Sequence, residues 1–270
     1  MSTAASPIGI FDSGIGGLTV VREVICQLPH ERIIYFGDTA RVPYGPKSPD
    51  TVRRYSREIT EYLTSQDVKA VVVACNTATA HALPQLRREL AVPVIGVIEP
   101  GARAGVAATR RRELGVIGTA GTIASRAYEA AIRAIAPDAH IVARACPLFV
   151  PLVEEGWLNT EATRLIAREY LAPLQTAGVD TLVLGCTHYP LLKPLLSDIL
   201  GSDVVLIDSA HETASEIGRV LATHGLLADS VIEKAAAHRF IASDAPEHFL
   251  RLGQRFLGSA IECVETLTLG

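Results

Sequence analysis

Two short stretches carry the residues best suited to chemistry, Cys75-Asn76-Thr77 and Cys186-Thr187-His188. Each follows an apolar run, Ala70 to Ala74 and Thr181 to Gly185, that reads as a buried strand. A cysteine placed where a strand gives way to a helix feels the positive helix terminus, which lowers its pKa toward the reactive range. The hydroxyl, amide and backbone N–H groups that follow it can hold an anion such as a carboxylate. One buried cysteine usually only packs. Two in matching settings, each followed by polar residues, point to function instead. Opposed across a substrate, a thiolate removes a proton from one face of a carbon while the other thiol delivers one to the opposite face. Ordinary thiols titrate at about 8.5, so a modest shift supplies both forms near neutrality. Reversing the reaction swaps the roles, so the two sites are expected to look alike.

Other polar groups cluster in the sequence near strand ends. Asp12-Ser13-Gly14-Ile15-Gly16-Gly17 follows the first apolar run, and a tight turn is reason enough for its glycines. A dinucleotide fingerprint fails there because Thr19 stands in the third glycine's place, although Asp38 ends the second strand where a ribose-binding acid would sit. A smaller anion held by Ser13 and backbone N–H groups fits better. Asp12 either orients a substrate ammonium or helps deprotonate a nearby thiol. The stiff loop Pro43-Tyr44-Gly45-Pro46-Lys47-Ser48-Pro49 lies where loops line sites, or it merely connects elements. His188 either shuttles a proton or raises the thiolate character of Cys186. Glu154 reads as a surface acid at a helix end. Cys26, Cys146 and Cys263 lack polar followers or lie away from strand ends, and are expected to pack.

The elements that must position these groups alternate. Strands are expected at Ile8 to Phe11, Ile33 to Phe36, Ala70 to Ala74 and Val94 to Ile98. Helical spacing links Leu18, Val21, Ile25 and Leu28, then Val52, Tyr55, Ile59 and Tyr62 behind the cap Ser48-Pro49-Asp50, and covers His81 to Leu90. Strands apolar along their whole length belong to a parallel sheet covered on both faces. The pattern then repeats. Gly9 falls over Gly115, Cys75 over Cys186, and Val94 to Glu99 over Val204 to Asp208, in one order at nearly one offset. The expected fold is therefore α/β: two similar domains with parallel sheets related by a pseudo-twofold axis. Residues 1–98 with 208–270 form the first and 99–207 the second, with a late strand from Ala260 to Leu267. Ligands in such folds bind at the carboxyl ends of strands, which here places the active site in the cleft between the domains.

Composition removes other classes. Hydrophobic residues at 49% and charged residues at 20% fill a core and exclude disorder. A net charge of −4 and 5% aromatics leave no general nucleic-acid surface. The N-terminus lacks a signal peptide, apolar runs are too short to cross a membrane, and the five cysteines are widely spaced. A cytoplasmic protein with free thiols is expected. Cys186 and His188 make two metal ligands without a third, so no metal is expected, and G-x-S-x-G is absent.

The residues together resemble the glutamate racemase family along nearly the whole chain. The motifs are Gly9 to Leu18, Asp38 with Pro43-Tyr44-Gly45, Ala74 to Thr77, Gly115 to Thr119, Cys146 to Phe149, Leu184 to Pro190, and Asp208-Ser-Ala210 with Glu212-Thr213. The resemblance implies cofactor-independent interconversion of L- and D-glutamate in the cytoplasm, supplying peptidoglycan synthesis, usually from a homodimer. By similarity Cys75 handles the proton of D-glutamate and Cys186 that of L-glutamate, with Asp12 and His188 assisting and Glu154 a supporting acid. Substrate contacts are implied from Asp12, Ser13, Tyr44, Gly45, Asn76, Thr77, Thr187 and His188, with Thr119 and Thr122 as additions. Regulation through a long N-terminal extension is not expected. Two rivals remain at this stage: an aspartate racemase of the same superfamily, and a non-catalytic binding protein for acidic amino acids.

Overall fold

Ile8-Gly-Ile-Phe-Asp12 is buried at every position because helices cover both faces of its sheet, and the other central strands follow suit. The computed structural model describes residues 3–228 and 238–269. In chain order the first elements are β1 (Ile8–Asp12), α1 (Leu18–Gln27), β2 (Ile33–Gly37), α2 (Pro49–Ser65), β3 (Ala70–Val73), α3 (Asn76–Glu89), β4 (Val94–Gly96) and α4 (Ile98–Ala108). Next come β5 (Glu113–Gly118), α5 (Ala120–Ala124), α6 (Ala127–Ile135), β6 (His140–Ala145), α7 (Phe149–Glu154), α8 (Glu161–Thr176), β7 (Thr181–Gly185), α9 (Lys193–Leu200) and β8 (Val205–Asp208). The chain closes with α10 (Ser209–Thr223), β9 (Arg239–Ala242), α11 (Pro246–Leu257) and β10 (Glu265–Thr266).

Two parallel sheets result, ordered β10-β9-β2-β1-β3-β4 and β6-β5-β7-β8. The order β2-β1-β3-β4 and the order β6-β5-β7-β8 are the same, which is the repeat seen in the sequence. Register agrees too: Ile8 pairs with Ala70 in one sheet and its counterpart Leu114 with Thr181 in the other. The last strand corrects the expected match. Val73 pairs with Gly96 and Leu184 with Asp208, so Gly96, rather than Glu99, is the counterpart of Asp208.

One core runs through both sheets, from Ile8, Ile10 and Leu18 to Leu182, Leu184 and Tyr189. Phe11, Ile59 and Val71 fill a second core on the other face of the first sheet, and Val116, Ile132 and Val183 a third on the second sheet. α10 returns the chain across the junction, packing on both α1 and α4.

Several bounds differ from expectation for local reasons. α3 begins at Asn76 rather than His81, because Cys75 caps it. β4 stops at Gly96, since Ile98 opens α4 and Pro100 sits in that helix's first turn, where a missing N–H costs nothing. The late strand shrinks to Glu265–Thr266, because residues 258–260 form a 3-10 turn and Ile261 is buried against α11. In α2, Ser48 accepts a bond from Thr51 N–H at 3.3 Å as its cap. Its buried stripe is Val52, Ser56, Ile59, Thr60 and Leu63, with Tyr55 and Tyr62 half-buried beside it.

Candidate active site

The turn after β1 is built around a carboxylate. Asp12 is buried, and its Oδ2 accepts from Gly14 N–H at 2.9 Å. The Gly14 N–H is therefore taken by Asp12 rather than left for an external anion. Oδ1 has no partner among the described residues. Burial holds the Asp12 pKa above the ordinary carboxylate range, although the charge of His188 and the nearby backbone N–H groups pull the other way. The Tyr35 phenol donates to Gly14 O at 2.8 Å and fixes the turn from behind. Neither Gly16 nor Gly17 has a positive φ, so a tight turn does not explain them. Room does: a Cβ on Gly16 would lie 2.3 Å from Thr187 Oγ1 and 2.5 Å from His188 Nδ1.

Cys75 follows β3 and caps α3, its sulfur accepting from Ala78 N–H at 3.4 Å. Its thiol reaches the Ser13 hydroxyl at 3.7 Å. Those contacts lower the pKa as the helix terminus should, but burial and the charge of Asp12 outweigh them and push the thiol up to about 12. The expected lowering does not occur here. Thr77, next on the helix, forms a hydroxyl triangle with Thr119 and Thr122 of the second unit, at 2.8, 3.2 and 3.0 Å. Beside it the Gly121 N–H donates to Gly45 O at 2.9 Å.

Cys186 follows β7, the counterpart of β3, yet a 3-10 turn over Tyr189–Leu192 replaces the helix. Its sulfur lies 3.9 Å from His188 Nδ1, and His188 Nε2 lies 2.9 Å from Glu154 Oε1. Burial opposes charge on this imidazole, but the bonds to Cys186 and then Glu154 together raise it to about 10. Glu154 is thus half-buried and bonded at the end of α7, not the free surface acid its position suggested. The two cysteine sites match in position and differ in partners. Cys75 has Asp12 and Ser13; Cys186 has an imidazolium backed by a carboxylate.

Both cysteines, Ser13, Tyr44, Asn76 and His188 line one cavity of about 40 Å³. That space holds a few waters at most. A cavity of about 420 Å³ adjoins it, between the Pro43–Pro46 loop and α7, sharing Gly45, Thr119 and Val150 as walls. Asp38 does not serve as a ribose acid: it is fully buried and accepts from Arg41, Tyr44 and Ser243, which anchors that loop. Cys146 packs as expected, its carbonyl accepting from Tyr189 at 2.8 Å. Cys26 and Cys263 do not pack; both are exposed, one on the outer side of α1 and one in the C-terminal stretch. No group of three or more His, Cys, Asp or Glu among the described residues is placed to hold a metal ion. No described helix is long and apolar enough to cross a membrane.

The chain matches the family model described as Asp/Glu/Hydantoin racemase over residues 17–217. A Geobacter metallireducens glutamate racemase is 55% identical over 262 residues, covering 97% of this chain and 96% of that protein. This chain belongs to the glutamate racemases. A solved glutamate racemase isoform from Bacillus anthracis superposes with a TM-score of 0.92 at 43% identity, over 98% of this chain and 97% of that one. The Francisella tularensis glutamate racemase, solved in complex with D-glutamate, superposes with a TM-score of 0.90 at 38% identity, over 98% of each chain. The sequence singles out both thiols of this candidate site but not Val42, Val150 or Tyr128. Val42 lines the cavity from a loop and Val150 from α7, both far from either cysteine in the chain, and Tyr128 reaches Asn76 from α6.

Proposed function

We propose that the cleft between residues 1–98 with 208–270 and residues 99–207 racemises glutamate without a cofactor, by proton transfer between two thiols. The observation that carries this reading is that Cys75 and Cys186, at the ends of equivalent strands, line one cavity. In one direction the Cys186 thiolate takes the α-proton of L-glutamate, leaving the electron pair on the substrate, and the Cys75 thiol protonates the opposite face. D-glutamate leaves with the carbon inverted and the two thiols with exchanged protonation. The reverse reaction begins at Cys75. The raised Cys75 pKa suits this work, because a thiolate that is hard to form is a stronger base once formed.

Asp12 serves Cys75 and His188 serves Cys186, with Glu154 holding the imidazole. Ser13, Tyr44, Gly45, Asn76, Thr77 and Thr187 contact substrate, Thr119 and Thr122 joining them from the second unit. Product D-glutamate supplies peptidoglycan synthesis in the cytoplasm, and the working form is a homodimer. Sedimentation should then give twice the chain mass of 28.8 kDa.

The test is incubation with each enantiomer in deuterated water, without added cofactor, following optical rotation and α-proton exchange together. Rotation should vanish as deuterium enters. Cys75→Ala should stop racemisation yet keep exchange of L-glutamate alone, and Cys186→Ala should keep exchange of D-glutamate alone. Full racemisation by either variant would overturn the two-thiol reading.

A further inference from the structure

We infer that Tyr128 is a positioning residue that turns the Asn76 amide so that its N–H groups face the substrate. Tyr128 is buried on α6 of the second unit, and its hydroxyl donates to Asn76 Oδ1 at 2.8 Å. Asn76 follows Cys75 and lines the cavity, and its Nδ2 is buried without a partner among the described residues. A buried amide nitrogen left unbonded costs free energy unless a ligand completes it. With Oδ1 occupied by the phenol, the group left over is a donor, which matches a carboxylate. An amide turned the other way would offer an oxygen and repel it.

The ring of Tyr128 has a second contact that fits this role. A Cβ on Gly185 would lie 2.8 Å from Tyr128 Cε2, so the ring rests on the residue just before Cys186. Gly101 similarly leaves room for the hydroxyl, 3.3 Å from where its Cβ would stand. One side chain therefore touches the neighbours of both cysteines. Burial keeps the phenol protonated, so it remains a donor at every working pH.

The inference rests on the proposed assignment of Asn76 to substrate, and the experiment separates the two. Tyr128→Phe keeps the ring and removes one hydrogen bond. It should raise KM about five- to tenfold for both enantiomers, with kcat within about twofold and melting unchanged. Asn76→Ala should raise KM by at least as much, and adding Tyr128→Phe to it should change nothing more. An unchanged KM in Tyr128→Phe beside a raised KM in Asn76→Ala overturns the positioning role alone, as does full additivity in the double variant. An unchanged KM in Asn76→Ala overturns the assignment of Asn76 and the inference with it. Asn76→Asp gives a readout that does not depend on Tyr128 variants folding. It keeps an oxygen for the phenol but aims an anionic oxygen at the cavity, so it should bind substrate worse than Asn76→Ala. Binding as tight as wild type would refute the donor orientation.

Discussion

The sulfur of Cys186 and the Nδ1 of His188 lie 3.9 Å apart on residues two positions apart in the chain, and no such pair exists at Cys75. The position equivalent to His188 is Thr77, whose hydroxyl turns to the Thr119–Thr122 cluster instead. Charge on the Cys186 side is thus met by an imidazolium, whereas charge at Cys75 must share a buried space with Asp12. Because the two enantiomers of glutamate have equal free energy in water, kcat/KM must be the same in both directions. The unlike surroundings of the thiols can therefore divide kcat and KM differently but cannot favour one direction.

The imidazole of His188 should keep its proton well past neutrality. Nitrogen NMR of the free enzyme should show it protonated through neutral pH and deprotonating near pH 10. Cys186→Ser removes the sulfur partner and Glu154→Gln the carboxylate, and each should lower that midpoint. A midpoint near the ordinary histidine value of about 6.5 in the wild type would show that the pair does not hold charge.

Asp12→Asn should separate stability from activity. The folded Asp12 pKa is raised, so between the unfolded value of 3.8 and the folded one the native state binds more protons than the unfolded state. Stability assigned to this group is present below 3.8 and is lost as pH rises through the folded value. Asparagine does not titrate. Denaturant unfolding should find the variant gaining on the wild type as pH rises from 4 toward neutrality, while racemisation falls about a hundredfold or more. A stability difference that does not change with pH would rule out this account of Asp12.

Strands and their repetition were legible because a covered parallel sheet demands unbroken apolar runs, and β1, β3, β5 and β7 all have them. The cysteines were legible because they end two such runs. What each cysteine touches was not. Glu154 comes from α7, across 34 positions of sequence from His188, and the contact depends on how that helix docks. The low-pKa expectation for Cys75 failed because helix position was visible in the sequence whereas full burial beside Asp12 was not. Asp38 stood where a ribose-binding acid would sit because its strand-end position was visible, whereas its three protein donors were not. The glycines after Asp12 looked like turn residues, when Thr187 and His188 leave Gly16 no space and Asp12, Tyr35 and Ala74 leave Gly17 none.

That last point makes Gly16 a test of how closely the two units must meet. Its α-carbon faces Thr187 and His188, and Thr19 one turn on donates to Thr187 O at 3.2 Å. A methyl at Gly16 must displace the Cys186–His188 loop or push the units apart, because a contact of 2.3 Å to Thr187 Oγ1 cannot stand. Overpacking of this kind costs about 1–3 kcal/mol, and Gly16→Ala should unfold earlier in denaturant by that amount. Activity should fall further than stability, since the proposed proton transfer depends on where Cys186 sits relative to the substrate. The His188 midpoint should fall as well if the loop moves away from Glu154. A Gly16→Ala enzyme with wild-type racemisation and an unmoved His188 midpoint would show that the units meet with slack at this seam.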